Sequence, residues 1–131
     1  MRKGFTLVEL LIVMSIIAAL MAVATPVGVN ALAQAKATSV AGNFRTLSQA
    51  VLQMITIEQN PPTSGDILSY LYTNKYISSI PQGFQITYDL ANKTYVIKYM
   101  NDDTDPTKVK NTYNVIMLDT DGKLMITVQK P

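Results

Sequence analysis

Apolar side chains dominate the first part of the chain, where the 26 residues of Leu10–Ala35 carry no charge. As an α-helix this segment would be about 39 Å long, more than the roughly 30 Å hydrocarbon core of a bilayer. Arg2 and Lys3 lie before it, and no acidic residue precedes Glu9. The positive-inside rule therefore predicts a membrane-spanning helix with its N-terminus in the cytoplasm and the rest of the chain outside.

The helical pattern continues through Ala31–Gln59, where it becomes amphipathic. This stretch is rich in Ala, Gln, Leu and Met, which are favourable helix formers. Its apolar residues recur at steps of three and four, as Val40, Phe44, Leu47, Val51, Met54 and Ile55. We expect this stripe to face a folded region, and Asn60-Pro61-Pro62 to end the helix.

The segment Thr63–Gly83 is predicted to connect the long helix to the rest of the fold. Either Ser64 or Asp66 is placed to cap a short helix that runs through Tyr72. The residues expected to face inward from this short helix are Leu68, Leu71 and Tyr72. Ile80-Pro81-Gln82-Gly83 predicts a turn before the first strand.

The first of two predicted β-hairpins follows this turn. Apolar residues alternate with polar ones in both of its strands, at Phe84, Ile86, Tyr88 and Leu90 and then at Tyr95, Ile97 and Tyr99. Such alternation is typical of half-buried strands, and Ala91-Asn92-Lys93 lies between the two as the turn. A polar loop is predicted over Asn101–Asn111.

The second predicted hairpin pairs Tyr113–Leu118 with Leu124–Val128. Asp119-Thr120-Asp121-Gly122 joins the two strands, and Gly122 suits a left-handed turn position. Together the four strands predict an antiparallel β-meander whose apolar face covers the stripe on the long helix. The expected fold class is therefore α+β, a long N-terminal helix packed on a small four-stranded sheet.

Composition narrows the function of the chain. Its 131 residues include no cysteine and no histidine. Histidine is the commonest general base and metal ligand, cysteine is one of the common nucleophiles, and no phosphate-binding or dinucleotide-binding motif is present. We therefore expect no enzyme. Without Arg2 and Lys3, nine basic and nine acidic residues remain, so net charge does not indicate nucleic-acid binding.

The N-terminal residues Gly4-Phe5-Thr6-Leu7-Val8-Glu9 resemble the processing site of type IV pilins, pseudopilins and competence pilins. The resemblance implies that a membrane-embedded aspartyl peptidase cuts between Gly4 and Phe5 and N-methylates Phe5. Glu9 then matches the glutamate of the family's assembly site. The implied divisions are a leader at 1–4, a membrane and filament-core helix at 5–35, an amphipathic helix at 36–59 and a globular sheet region at 60–131.

Glu9 is a lone carboxylate beside a long apolar run, and an unpaired acid in a membrane costs a few kcal/mol. Cleavage before Phe5 would expose an α-amine, which is cationic near neutral pH. We expect the carboxylate of one subunit to pair with the amine of a neighbour and to set the register between them. The alternative is that Glu9 lies at the headgroup level and reaches water.

Pro26 and Gly28 interrupt the helical pattern within the apolar segment. Proline removes a backbone hydrogen bond, and glycine weakens the helix at the same place. One interpretation is a mild kink, which neighbouring helices tolerate in a membrane. The other, implied by the resemblance, is a helix break that unwinds locally when the subunit enters a filament.

Two acidic loops are the candidates for a metal site, with carboxylates at Asp102, Asp103, Asp105, Asp119 and Asp121. Oxygen-rich loops can hold calcium, and some pseudopilins of the family bind it in a C-terminal loop. The spacing does not fit an EF-hand, however, and Asp-Thr-Asp-Gly is ordinary turn chemistry. The pattern favours solvated turns and no cofactor, with calcium as the alternative.

The resemblance also implies a function and a set of partners. We expect a major structural subunit of a type IV pilus-like filament, first in the inner membrane and then in an extracellular pilus. Its partners would be other copies of itself, the prepilin peptidase, membrane lipid, and an inner-membrane assembly platform with its ATPase motor. The alternatives are a pseudopilin of a type II secretion system, a competence or minor pilin, and an uncleaved membrane-anchored binding module.

Overall fold

A computed structural model describes residues 6–130 of the chain. Its helices are α1 (Leu7–Ile57), α2 (Ile67–Thr73) and α3 (Pro106–Thr112). Its strands are β1 (Phe84–Asp89), β2 (Thr94–Tyr99), β3 (Met117–Leu118) and β4 (Leu124–Gln129). The chain divides into two compact units between Ala35 and Lys36, and residues 36–130 are called the head below.

Helix α1 is the long N-terminal helix that the apolar pattern predicts. The N–H of Glu58 donates to the carbonyl of Met54 at 2.9 Å, and the helix ends at Ile57, two residues before the predicted end. Residues that precede a proline avoid the α-helical backbone conformation, and Asn60 precedes Pro61 and Pro62. The prolines therefore account for the end of the helix.

The predicted apolar stripe of α1 is buried in the head, at Val40, Phe44, Leu47, Val51, Met54 and Ile55. The ring of Phe44 meets the ring of Phe84 in β1 edge-on, with centroids 4.9 Å apart and planes at 77°. Aromatic pairs in this arrangement add to the stabilisation that burial alone provides. The amphipathic part of α1 thus packs on the sheet, which confirms the predicted α+β arrangement.

The sheet is antiparallel and four-stranded, as predicted, but its strand order is β1-β2-β4-β3. Ile97 of β2 lies between Ile86 of β1 and Ile126 of β4, and all three side chains are buried. The predicted meander order is wrong, because β4 rather than β3 lies beside β2. All six residues of β4 pair with β2, whereas only two residues of β3 pair with β4. The longer strand therefore takes the position with neighbours on both sides.

The segment between β2 and β4 differs from the prediction in two places. The predicted polar loop Asn101–Asn111 contains most of α3, and the predicted strand Tyr113–Leu118 shortens to β3. Asp105 caps α3, and Pro106 lies in its first turn, where the missing N–H would have no helical partner anyway. Val109 is fully buried and anchors α3 to the core. This tertiary contact is not indicated by the polar composition of the segment.

Two residues that were expected to face inward are exposed. Leu90 has 76% of its surface exposed because β1 ends at Asp89, whose carboxylate accepts backbone N–H groups of the following turn. Tyr72 is 49% exposed. Helix α2 has only seven residues, and Leu68 and Leu71 already occupy its buried face.

The connector between α1 and β1 is held by a carboxylate and two tyrosines. Asp66 is the N-cap of α2 and accepts the backbone N–H of Ser69 at 3.2 Å, so the cap is Asp66 and not Ser64. Glu58, just beyond α1, accepts hydrogen bonds from the hydroxyls of Tyr70 and Tyr76. The hydrogen bond to Glu58 raises the pKa of Tyr70 to about 12, since it favours the protonated phenol.

Candidate processing and assembly site

The first turn of α1 brings Thr6 and Glu9 together. The hydroxyl oxygen of Thr6 accepts the backbone N–H of Glu9 at 3.2 Å, and the carbonyl of Thr6 accepts the N–H of Leu10 at 3.1 Å. Thr6 is therefore the N-cap, whose side chain satisfies one of the N–H groups that a helix start leaves without partners. Glu9 lies in the first turn, where the helix dipole favours a carboxylate. Gly4 and Phe5 lie outside the described residues.

Beyond this turn, α1 exposes large apolar side chains at most positions from Leu7 to Leu32. None of the most apolar stretch of this helix is buried. Among the described residues, α1 is the one helix long and apolar enough to cross a membrane by length and composition. Large contiguous apolar surfaces are typical of proteins that contact lipid or other proteins there.

Helix α1 is continuous through Pro26 and Gly28, so the predicted helix break is not a feature of this structure. Proline has no N–H, and the carbonyl of Ala22 four residues earlier therefore lacks its helical donor. Gly28 has open space on the side where a side chain would project. Local unwinding at these residues in a filament stays a prediction.

A family model for the prokaryotic N-terminal methylation motif matches residues 1–25. The chain carries the N-terminal methylation motif that is typical of type IV pilins and pseudopilins. No curated protein and no solved structure matches the chain significantly. The motif supports a pilin-like or pseudopilin-like precursor, a structural subunit rather than an enzyme. It also implies processing by a prepilin peptidase and assembly into filaments.

Gly4, Phe5 and Glu9 were predicted from the sequence as processing and assembly residues, whereas Thr6 was not. A signal for it was present, because Ser or Thr followed three residues later by Glu, before an apolar run, is the pattern of a capping box. Thr6 and Glu9 stand in that relation. The structure adds that the Thr6 hydroxyl makes the capping hydrogen bond.

Two acidic residues of the loop after β2, Asp102 and Asp103, are engaged by lysines and a tyrosine. Asp103 lies 3.1 Å from the Nζ of Lys36 and accepts a hydrogen bond from the Tyr99 hydroxyl at 2.6 Å. The Tyr99 hydrogen bond and then the Lys36 ammonium lower the pKa of Asp103. Asp102 pairs at 2.7 Å with the Nζ of Lys123, so the loop after β2 meets the turn between β3 and β4.

Asp119 is the most enclosed carboxylate among the described ion pairs. The Nζ of Lys98 lies 2.6 Å from its Oδ2 atom. Its Oδ1 atom accepts the backbone N–H groups of Asp121 at 2.9 Å and Lys123 at 2.8 Å. The Lys98 ammonium beside Oδ2 is the main cause that lowers the pKa of Asp119, and the same ion pair raises the pKa of Lys98.

The two acidic loops therefore meet at Lys123, whose ammonium pairs with Asp102 and whose backbone N–H donates to Asp119. Within residues 6–130, no group of three or more acidic side chains is placed to hold a metal ion. Asp105 accepts the N–H of Thr107 at 3.0 Å as the cap of α3, which gives this carboxylate a role in the fold. Calcium binding in the head stays a prediction.

Proposed function

We propose that this pilin-like precursor is a major structural subunit of a type IV pilus-like filament on the cell surface. The observation that carries the proposal is the exposed apolar surface of α1 from Leu7 to Leu32, in a chain whose residues 36–130 have a buried core of their own. Such a surface suits a lipid bilayer before assembly and a shared apolar filament core afterwards.

Processing would begin with hydrolysis of the peptide bond between Gly4 and Phe5. Water adds to the carbonyl carbon of Gly4, the C–N bond breaks, and the nitrogen of Phe5 takes up a proton as the leader departs. The new α-amine has a reference pKa of roughly 7.7–8.0 and is therefore largely cationic near neutral pH. N-methylation of Phe5 leaves the nitrogen protonatable.

Assembly would then pair this amine with the Glu9 carboxylate of a neighbouring copy. At about 4 Å and an effective dielectric constant of about 20, the attraction is about 4 kcal/mol before desolvation is subtracted. Desolvation of both charges removes much of this gain. The pair therefore acts mainly on register, because a misplaced neighbour leaves a charge buried without a partner.

Close packing of neighbouring helices would follow from the small residues in the same segment, which include Ala18, Ala19, Ala22 and Ala24. Small side chains let helix backbones approach each other in an apolar environment. A prepilin peptidase, an inner-membrane assembly platform and its ATPase motor complete the proposed set of partners.

Mass spectrometry of the N-terminal peptide tests the proposal, using material sheared from cells and the envelope fraction of the same cells. We expect an N-methylated Phe5 end on an abundant protein of the sheared fraction. Gly4→Val is the matched control, because it changes the residue before the cleaved bond and leaves α1 intact. This variant should keep Met1 and stay in the envelope.

Three results would contradict the proposal in different ways. A processed Phe5 end confined to the envelope would favour the pseudopilin alternative. An intact Met1 end in every fraction of the wild type would exclude processing and leave a membrane-anchored binding module. A processed but scarce protein in sheared filaments would identify a minor pilin.

A further inference from the structure

We propose that the heads of neighbouring copies also join edge to edge, with β1 of one copy beside the C-terminal part of β4 in the next. This inference rests on the proposed filament and adds a contact between heads to the contact between apolar helices. The strand order β1-β2-β4-β3 gives the sheet two edges that differ. One is β1, and the other is β3 with the part of β4 that β3 leaves uncovered.

The second half of β4 has unpaired backbone groups along its outer side. β3 pairs with only the first two residues of β4, so no strand in the described part of the chain lies beside Ile126–Gln129 on that side. The N–H of Lys130 donates towards β2, to the carbonyl of Lys93 at 3.0 Å. Backbone groups of successive residues face opposite sides of a strand, so those of Thr127 and Gln129 face the open edge.

The same alternation places unpaired backbone groups on β1. The carbonyl of Gly83 accepts the N–H of Met100, just after β2, at 2.6 Å. The backbone groups of Phe84, Ile86 and Tyr88 therefore face away from β2, and among the described residues no strand pairs with this side of β1. An unpaired strand edge is a template for another strand. The two edges thus offer each other donors and acceptors at every second residue.

An apolar groove runs beside the open edge of β4. Leu52 of α1 and Val115 before β3 line it together with the last residues of β4, and both side chains are exposed. A neighbouring head on this edge would remove them from water, which favours association. The groove therefore adds an apolar contribution to the backbone pairing at the same place.

The charges at the two edges are complementary. Arg45 lies over the ring of Tyr113 in this groove, 4.8 Å from its centroid, and takes part in none of the ion pairs of the described residues. Asp66 lines a second groove, beside β1, and takes part in none of these ion pairs either. Opposite charges favour contact between the two different edges over contact between two copies of the same edge.

A contact between two different edges can repeat from copy to copy. Each copy that joins through β1 keeps its own β4 edge for the next, and such contacts build open helical filaments. Two identical edges would instead form a closed pair. β1 and β4 run in the same direction because both are antiparallel to β2, so neighbouring heads of the same orientation would pair these strands in parallel.

Disulfide cross-linking within sheared filaments tests this contact, because the chain has no cysteine of its own. Thr87→Cys/Thr127→Cys places one thiol on each edge. Within one chain both residues lie level with Val96 of β2 and are therefore two strand spacings, about 10 Å, apart. A disulfide bridges Cα atoms no more than about 7 Å apart, so it must join two copies. Gln85→Cys/Thr127→Cys covers the neighbouring register on the same face of β1.

After oxidation in air with a copper catalyst, at least one of these double variants should give a ladder of dimers, trimers and longer species on a non-reducing gel. Each single variant should stay monomeric, because it has a thiol on one edge only. Ser79→Cys/Thr127→Cys is the matched control, since Ser79 is exposed but lies on neither edge, and it should also stay monomeric.

Gln129→Pro, added to the cross-linking variant, tests the backbone pairing itself. Proline removes the N–H that faces the open edge and leaves the hydrogen bonds between β4 and β2 in place, as edge strands allow. We expect the ladder to be lost, whereas Gln129→Ala keeps this N–H and should keep the ladder. Circular dichroism of each variant reports whether the head is still folded.

The outcomes separate this inference from the proposed function. Normal filaments in which both double variants stay monomeric would overturn the inference, and so would a ladder in the Ser79→Cys control or in a folded Gln129→Pro variant. Dimers from Thr127→Cys alone would also overturn it, because identical edges would then meet. A wild type without processed protein in the sheared fraction would overturn the proposed function and, with it, the contact between heads.

Discussion

Lys98 and Asp119 join β2 to the turn between β3 and β4 through a contact of 2.6 Å, and the Asp119 side chain is only 8% exposed. Two backbone N–H groups of the turn donate to the other oxygen of the same carboxylate. Removing this carboxylate would leave an ammonium group and two N–H groups without their acceptor, and unpaired polar groups destabilise a folded protein.

Asp119→Ala should therefore lower the thermal unfolding midpoint of the head. Asp102→Ala is the matched control, because Asp102 also pairs with a lysine but its side chain is 83% exposed. Exposed ion pairs contribute little to stability. Circular dichroism of both full-length variants in detergent measures the difference. Equal midpoints for the two variants would contradict a structural role for the enclosed pair.

Acid should also destabilise the head, because it protonates the carboxylates of Asp103 and Asp119. The folded state lowers the pKa of Asp103 and Asp119, so their contribution is present above the unfolded value of about 3.9 and is lost as pH falls through the folded value. We expect a nearly constant unfolding midpoint at neutral pH and a steep fall below about pH 4.

The double variant Asp103→Asn/Asp119→Asn tests whether these two carboxylates cause the loss of stability in acid. It should be less stable than the wild type at neutral pH and should lose less further stability in acid. Thermal unfolding between neutral and strongly acidic pH provides the comparison. If the unfolding midpoint of the double variant fell as steeply in acid as that of the wild type, other carboxylates would control the loss of stability.

Phe44→Ala should strongly lower the free energy of unfolding, because it removes a side chain that packs α1 on the sheet. Its side chain is fully buried against Phe84, and truncation of a buried phenylalanine costs about 3–5 kcal/mol. Leu52→Ala on the same helix is the control, because Leu52 is largely exposed and should change stability by only about 0.5 kcal/mol. Urea unfolding in detergent measures both. Similar losses of unfolding free energy in the two variants would contradict the observed packing.

Glu9→Val should leave cleavage intact while it impairs filament assembly, because the neighbour's amine loses its proposed partner. Ser15→Val is a matched polar-to-apolar change on the same helix and should assemble normally. The measurement is the ratio of sheared to envelope protein, with the N-terminal peptide identified in each. Normal filaments from Glu9→Val would exclude the register role.

Pro26→Ala combined with Gly28→Ala should reduce assembly if α1 unwinds there in the filament. Both changes restore strong helix propensity, and the proline change also restores a backbone N–H. Cleavage and membrane insertion should be unaffected. The same fractionation detects the loss, and wild-type filament yield would indicate that α1 stays helical on assembly.

Local sequence patterns predicted much of the secondary structure of this chain, because these patterns are long or chemically specific. The uncharged run before Lys36 and the stripe that includes Phe44 extend over many residues, so each predicts a helix and its buried face without knowledge of any partner. The Asp66 cap was one of two predicted candidates, and the Thr6 cap followed a pattern that could have been recognised.

The sequence by itself determined the apolar helix, its N-terminal motif, the amphipathic stripe and three of the four strands, since each depends on neighbours along the chain. Only the tertiary structure decided that β4 lies beside β2, that Val109 anchors a third helix, and that Lys98 encloses Asp119. These contacts join residues far apart in sequence. Their free energy depends on which segments meet, and hydrophobic periodicity carries no information about the partner.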